Sequence, residues 1–142
     1  MPVRTADAEW TGALQDGTGH MRFGQGAFDG AFSFSSRFEE GTGTNPEELI
    51  AAAHAGCFSM QLSGILGRAG FGPRRVATTA RVHIERGDAG FSITRIQLQT
   101  EAEIPEIDDA RFQEIAEEAK RTCPVSRALA SVPEIDLTAK LV

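Results

Sequence analysis

Between Thr44 and Ala69 the chain reads TNPEELIAAAHAGCFSMQLSGILGRA, and no other stretch limits the fold as much. Thr44 or Asn45 can cap a helix, Pro46 suits its first position, and Glu47 and Glu48 complement the positive end of the helix dipole. The residues beyond are apolar or small on nearly every side, interrupted only by His54, Ser59, Gln61 and Ser63 before Arg68. A helix without a clear polar face is buried on most sides, in a large core or between subunits. Its apolar run, Leu49 to Met60, reads as too short and too interrupted for a membrane span. Cys57 therefore stands midway along a buried helix whose two carboxylates gather at its start.

The rest of the chain must supply that helix with surroundings. Before it, Asp7–Gly12, His20–Phe23 and Ala31–Ser36 read as short strands, the first two joined by a turn holding Asp16-Gly17. Arg37 to Glu40 then lead into a loop, Gly41-Thr42-Gly43. After the helix, Gly70-Phe71-Gly72-Pro73 is a stop, and two long alternating strands follow, Val76–Arg86 and Phe91–Ile104. The apolar positions of the second strand change parity between Ile93 and Ile96, which predicts a bulge. Asp108-Asp109 opens an amphipathic helix with Phe112, Ile115, Ala116 and Ala119 on its buried stripe. It ends near Thr122-Cys123-Pro124, Val125–Leu129 makes a short turn or helix, and Val132–Val142 closes as a strand. The fold class predicted is α+β, with largely antiparallel sheets around a long buried central helix, in the order βββ-α-ββ-α-β. Residues 1–142 read as a single domain, long enough for a hydrophobic core.

Charge and leader patterns narrow the partners. A net charge of −6 argues against nucleic acid, whose phosphates need concentrated Lys and Arg. Met1 to Trp10 carries Arg4, Asp7 and Glu9 and no apolar signal-peptide core, and no membrane partner is expected. A reducing cytoplasm is the expected compartment, where two cysteines act as thiols more readily than as a structural staple. The plainer alternative is that both are small buried hydrophobes.

Cys123 has the more legible surroundings. Pro124 is a natural first helical residue, so Cys123 falls at or beside an N-cap, where backbone N–H groups stabilise a thiolate. Arg121 and Arg127 add positive charge nearby. Cys57 has no such local help, and a buried thiol keeps a raised pKa unless a cation comes from elsewhere. Arg37 is the candidate cation, with Glu47 or Glu48 holding its guanidinium by a bidentate pair. His54, one turn before Cys57, is read as a core or interface histidine with a satisfied ring. His20 and His83 are isolated, so no zinc site is expected. Glycines 12, 17, 19 and 24 follow no phosphate-binding spacing, and no nucleotide cofactor is expected.

Thr44-Asn45-Pro46-Glu47-Glu48-Leu49 with Ala52-Ala53-His54-Ala55-Gly56-Cys57-Phe58-Ser59-Met60, and then Cys123-Pro124-Val125-Ser126, resembles the OsmC branch of the OsmC/Ohr family. The resemblance runs from about Ala8 to Leu141. It implies a thiol peroxidase that reduces organic hydroperoxides, folded as an intertwined homodimer, with no metal, flavin or other cofactor. By motif, Cys57 is then the peroxidatic cysteine and Cys123 the resolving one, with Arg37 and Glu47 as the family's arginine and glutamate. Cys57 would become a sulfenic acid and close a disulfide with Cys123, which an external dithiol reductant resets. Ten residues of helix put Glu47 and Cys57 about 15 Å apart along the axis. Shared sites are therefore expected, with the cysteines from one subunit and Arg37 and Glu47 from its partner. A non-catalytic redox-sensing or small-ligand-binding stress protein is the alternative.

Overall fold

β1 (Ala6–Thr11), β2 (Thr18–Phe23) and β3 (Phe28–Phe32) form an antiparallel meander, β1 pairing β2 from Ala6↔Phe23 to Thr11↔Thr18. The computed structural model describes all residues, Met1–Val142, and they gather into two compact units, Met1–Leu49 and Ile50–Val142. The first unit holds this meander and a five-residue helix, α1 (Phe34–Phe38), where a strand was expected to run on to Ser36. Phe32-Ser33-Phe34-Ser35 alternates like a strand, but a capping box overrides the alternation. Ser33 Oγ accepts from the Ser36 N–H, and Ser36 Oγ accepts from the Ser33 N–H. Arg37 consequently lies on a helix rather than at the end of a strand. The chain then returns along β3, where Thr44 N–H donates to Ala31 O at 2.8 Å. Gly43 permits this return: its φ is +115°, and a Cβ there would stand 2.5 Å from Ala31 O.

α2 (Pro46–Arg68) begins in the first unit and continues through the second. Asn45 is its cap, accepting from the Glu48 N–H at 2.8 Å. β4 (Arg75–Gly87) and β5 (Gly90–Glu103) form a long antiparallel hairpin, and β6 (Glu134–Leu141) joins β5 in parallel. The expected bulge is present. His83 faces Arg95 and Ile84 faces Ile93, so Thr94 is the extra residue. α3 (Asp109–Thr122) is capped by Asp108 and buries Phe112, Ile115, Ala116 and Ala119, the stripe read from its periodicity. α4 (Pro124–Ala128) follows at once. The sheets are largely antiparallel, as expected, and β6 is the exception. Its parallel pairing follows from the α3–α4 crossover, which carries the chain back before the last strand begins.

The second unit holds the hydrophobic core. Phe58, Leu62, Ile65 and Leu66 of α2 pack with Leu98, Ala102, Phe112, Ile115 and Cys123. The core residues all lie from Phe58 onward. By length and composition α2, with 23 residues and an 18-residue window of mean hydropathy 1.4, could cross a membrane. The expectation that its apolar run is too short is thus not what sets it apart; its four large apolar residues buried against β5 and α3 do. The opposite face, Ala52, Ala53, Gly56, Met60 and Gly64, is exposed in the single chain.

Candidate active site

Cys57 and Cys123 meet in the second unit. Their sulfurs lie 2.9 Å apart, the Cys123 thiol donating, and both are free. A disulfide needs about 2.05 Å, so closure asks for a movement of less than an ångström. Cys123 owes its position to Pro124, which pushes the residue before it out of the helical region. It is at once the C-cap of α3 and the N-cap of α4, with ψ at 126°. Cys123 is wholly buried, and Cys57 is half-buried.

The electrostatics reverse part of the expectation. The amide that helps a thiolate belongs to Val125, in the first turn of α4, and it donates to Cys57 rather than to Cys123. Burial pushes the Cys57 thiol up, the Cys123 sulfur pushes it the same way, and the Val125 N–H pulls it down without cancelling them. His54 is fully buried, and burial lowers its pKa. Its Nε2 lies 2.7 Å from Ser126 Oγ, while Nδ1 has no partner, so only half of the expected satisfied ring is found. Ser126 was not singled out from the sequence, although its place three residues after Cys123 was a signal.

Arg37 and Glu47 meet in the first unit. Nη2 donates to Glu47 Oε1 at 2.7 Å and Nε donates to both carboxylate oxygens at 3.1 and 3.2 Å. The choice between Glu47 and Glu48 is thereby decided for Glu47. Glu48 instead accepts from the Thr44 hydroxyl. Glu47 is 7% exposed, and a carboxylate so buried needs such a fork. α1 is fastened to the start of α2 by Ser36 Oγ donating to Thr44 O and by the Asn45 amide donating to Ser36 O. The guanidinium also lies over the Phe38 ring, 5.2 Å from its centre. Beside it Trp10, Leu14, Phe32, Phe34 and Phe38 line a pocket of about 240 Å³. From the sequence Phe32, Phe34 and Phe38 read as core aromatics by default, or as lining of an apolar pocket, and the pocket is where they stand; Trp10 and Leu14 carry no such signal. The four predicted site residues thus form two pairs, one in each unit.

A family model described as OsmC-like protein matches residues 39–138. Over 138 residues, 96% of each chain, the sequence is 44% identical to the peroxiredoxin OsmC of Escherichia coli (strain K12). It is 30% identical over 99 residues, 69% of this chain and 68% of the other, to an organic hydroperoxide resistance protein of Xanthomonas axonopodis pv. citri (strain 306). Among solved structures, an OsmC-like protein from Mycoplasma pneumoniae superposes with a TM-score of 0.77 over 99% of this chain and 98% of that one. At 16% identity, that likeness is one of fold.

Proposed function

The chain belongs to the OsmC-like family, and from that premise we propose that it reduces organic hydroperoxides to alcohols with its own two sulfurs. The observation that carries this reading is the 2.9 Å contact between Cys57 and Cys123. The Cys57 thiolate attacks the terminal oxygen of the hydroperoxide. A sulfur–oxygen bond forms, the oxygen–oxygen bond breaks, and the alkoxide takes a proton and leaves as the alcohol. Cys123 sulfur then attacks the Cys57 sulfenic acid. The disulfide forms, the sulfur–oxygen bond breaks, and the hydroxyl leaves as water with the Cys123 proton. An external dithiol restores both thiols. The half-exposure of Cys57 against the full burial of Cys123 supports this order of roles.

Cys57 needs help to ionise, because the groups about it in one chain leave its pKa raised. The Arg37 guanidinium, fixed by Glu47, supplies that help from a partner subunit and stabilises the departing alkoxide. Two features support an intertwined homodimer in which both units serve as one OsmC-like domain. The first unit has no buried hydrophobic core of its own, and α2 leaves Met60 79% exposed on an otherwise small-residue face. The aromatic pocket beside Arg37 suits an alkyl chain, which gains about 0.8 kcal/mol per methylene buried. Bulky organic hydroperoxides should therefore exceed hydrogen peroxide in kcat/KM. Because the cycle consumes thiols, we place it in the reducing cytoplasm.

The decisive experiment follows peroxide consumption with a dithiol present. Wild type should turn over many equivalents, and Cys57→Ser none. Cys123→Ser should consume one equivalent and leave a sulfenic acid on Cys57 that dimedone traps. Stoichiometric consumption by wild type would make the protein a redox sensor instead.

A further inference from the structure

A second contact runs beside the sulfur pair. His54 stands three residues before Cys57 on α2, and Ser126 stands three residues after Cys123 on α4. Residues three apart on a helix share a face. The His54–Ser126 bond, at 2.7 Å, is therefore a rung one turn away from the sulfurs, joining the same two elements. On the other side Gln61 donates to Thr122 Oγ1 at 2.9 Å, but that contact is exposed. The inner rung is not: His54 is 0% exposed and Ser126 6%. With Nδ1 unpartnered, Ser126 is the ring's one polar anchor. A leucine would fill this space without the desolvation a buried imidazole suffers, so the ring's contribution lies in the bond it makes.

We propose that His54 and Ser126 are a positioning pair that keeps α4 seated on α2, and thereby keeps Cys123 within bonding distance of Cys57 through the redox cycle. α4 is five residues long and opens with a proline, so it has little hydrogen bonding of its own to hold it. Its other polar ties to α2 pass through Cys57, which receives the Cys123 thiol and the Val125 N–H. Both change when an oxygen is added to that sulfur. The His54–Ser126 bond involves neither sulfur and persists in the dithiol, the sulfenic acid and the disulfide. Burial holds the imidazole neutral, so the bond does not depend on a charge that pH would remove.

The proposal rests on the peroxidase reading for the origin of the sulfenic acid, but the proximity of the sulfurs is measured without peroxide. Wild type and variants are equilibrated with mixtures of reduced and oxidised glutathione, and the fraction of Cys57–Cys123 disulfide gives the effective concentration of Cys123 at Cys57. Ser126→Ala and His54→Leu should each lower it at least fivefold. The double variant should be no worse than the lower single one, because both break one bond. His54→Gln, whose amide reaches the position of Nε2, should recover most of the loss. Ile115→Val, a change in the same core away from the rung, should leave the equilibrium in place. Less than a fivefold fall in both Ser126→Ala and His54→Leu overturns the proposal, as does an equal fall in Ile115→Val. If wild type consumes no peroxide, the peroxidase reading fails, and the glutathione equilibrium still decides the rung.

Discussion

A guanidinium gripped through Nε and Nη2 keeps Nη1 outside the fork with Glu47. Glu47 uses its buried charge to aim the arginine, which on the proposed mechanism offers a fixed donor to sulfur and leaving oxygen. Arg37→Met should raise the pH at which Cys57 becomes reactive and slow its attack by about 10²–10³-fold, the usual loss for one preorganised donor. Ultraviolet titration of the thiolate with stopped-flow peroxide kinetics measures both, and an unmoved titration removes Arg37 from the site. His54 carries a different pH signature. The unfolded chain protonates this ring near its ordinary value of 6.5, while burial holds the folded ring neutral to lower pH. Protons therefore favour the unfolded state as pH falls below about 6.5, and stability declines by up to about 1.4 kcal/mol per pH unit until the buried ring's own lower pKa is passed. Urea denaturation from about pH 7.5 down to 5 should show that slope in wild type, and a shallower one in His54→Gln. Equal slopes would mean the ring gains its proton as freely folded as unfolded.

α1 shows how an element can hide. Phenylalanines and serines in alternation read as a strand, and only the pairing of Ser33 with Ser36 three residues on announces a helix. Where periodicity was long it was reliable: the α3 stripe and the bulge at Thr94 were both legible from apolar spacing. The direction of β6 was not, since parallel and antiparallel partners need the same alternation and differ only in what the chain does between them. The same limit applied at the site. The motifs singled out Cys57, Cys123, Arg37 and Glu47, but not that the first turn of α4 points its Val125 amide at the other helix's sulfur. Such a contact depends on how two elements dock, which no local pattern encodes. Because α1 presents Arg37, its cap should matter to catalysis. Ser33→Ala should cost about 0.5–2 kcal/mol in stability and lower kcat/KM for an organic hydroperoxide. An unaltered kcat/KM in a variant that has lost stability would mean that α1 does not present Arg37 to the site.

For the whole molecule the prediction concerns assembly. In the proposed dimer Cys57→Ser should be inactive, and Arg37→Met nearly so. Unfolded together and refolded, they should form mixed dimers in which one site is intact, so part of the activity returns. Mixed dimers seen by native mass spectrometry without activity would mean each site is built within one chain. Met60→Glu, on the exposed face of α2, should shift sedimentation toward monomer and lower activity in step with dimer content. The late arrival of β6 has a consequence of another kind, for the chain while it is being made. Some eighty residues separate Cys57 from the end of the strand that completes its sheet. At about 5–20 residues per second, that is roughly 4–16 s during which the attacking thiol has left the ribosome's active centre and its resolving partner is still being added or packed. With Arg37 of a folded partner as the proposed activator, Cys57 is in that interval an ordinary thiol with little reactivity toward peroxide. Sulfinic acid at Cys57 should therefore be no richer in ribosome-bound chains than in the finished pool.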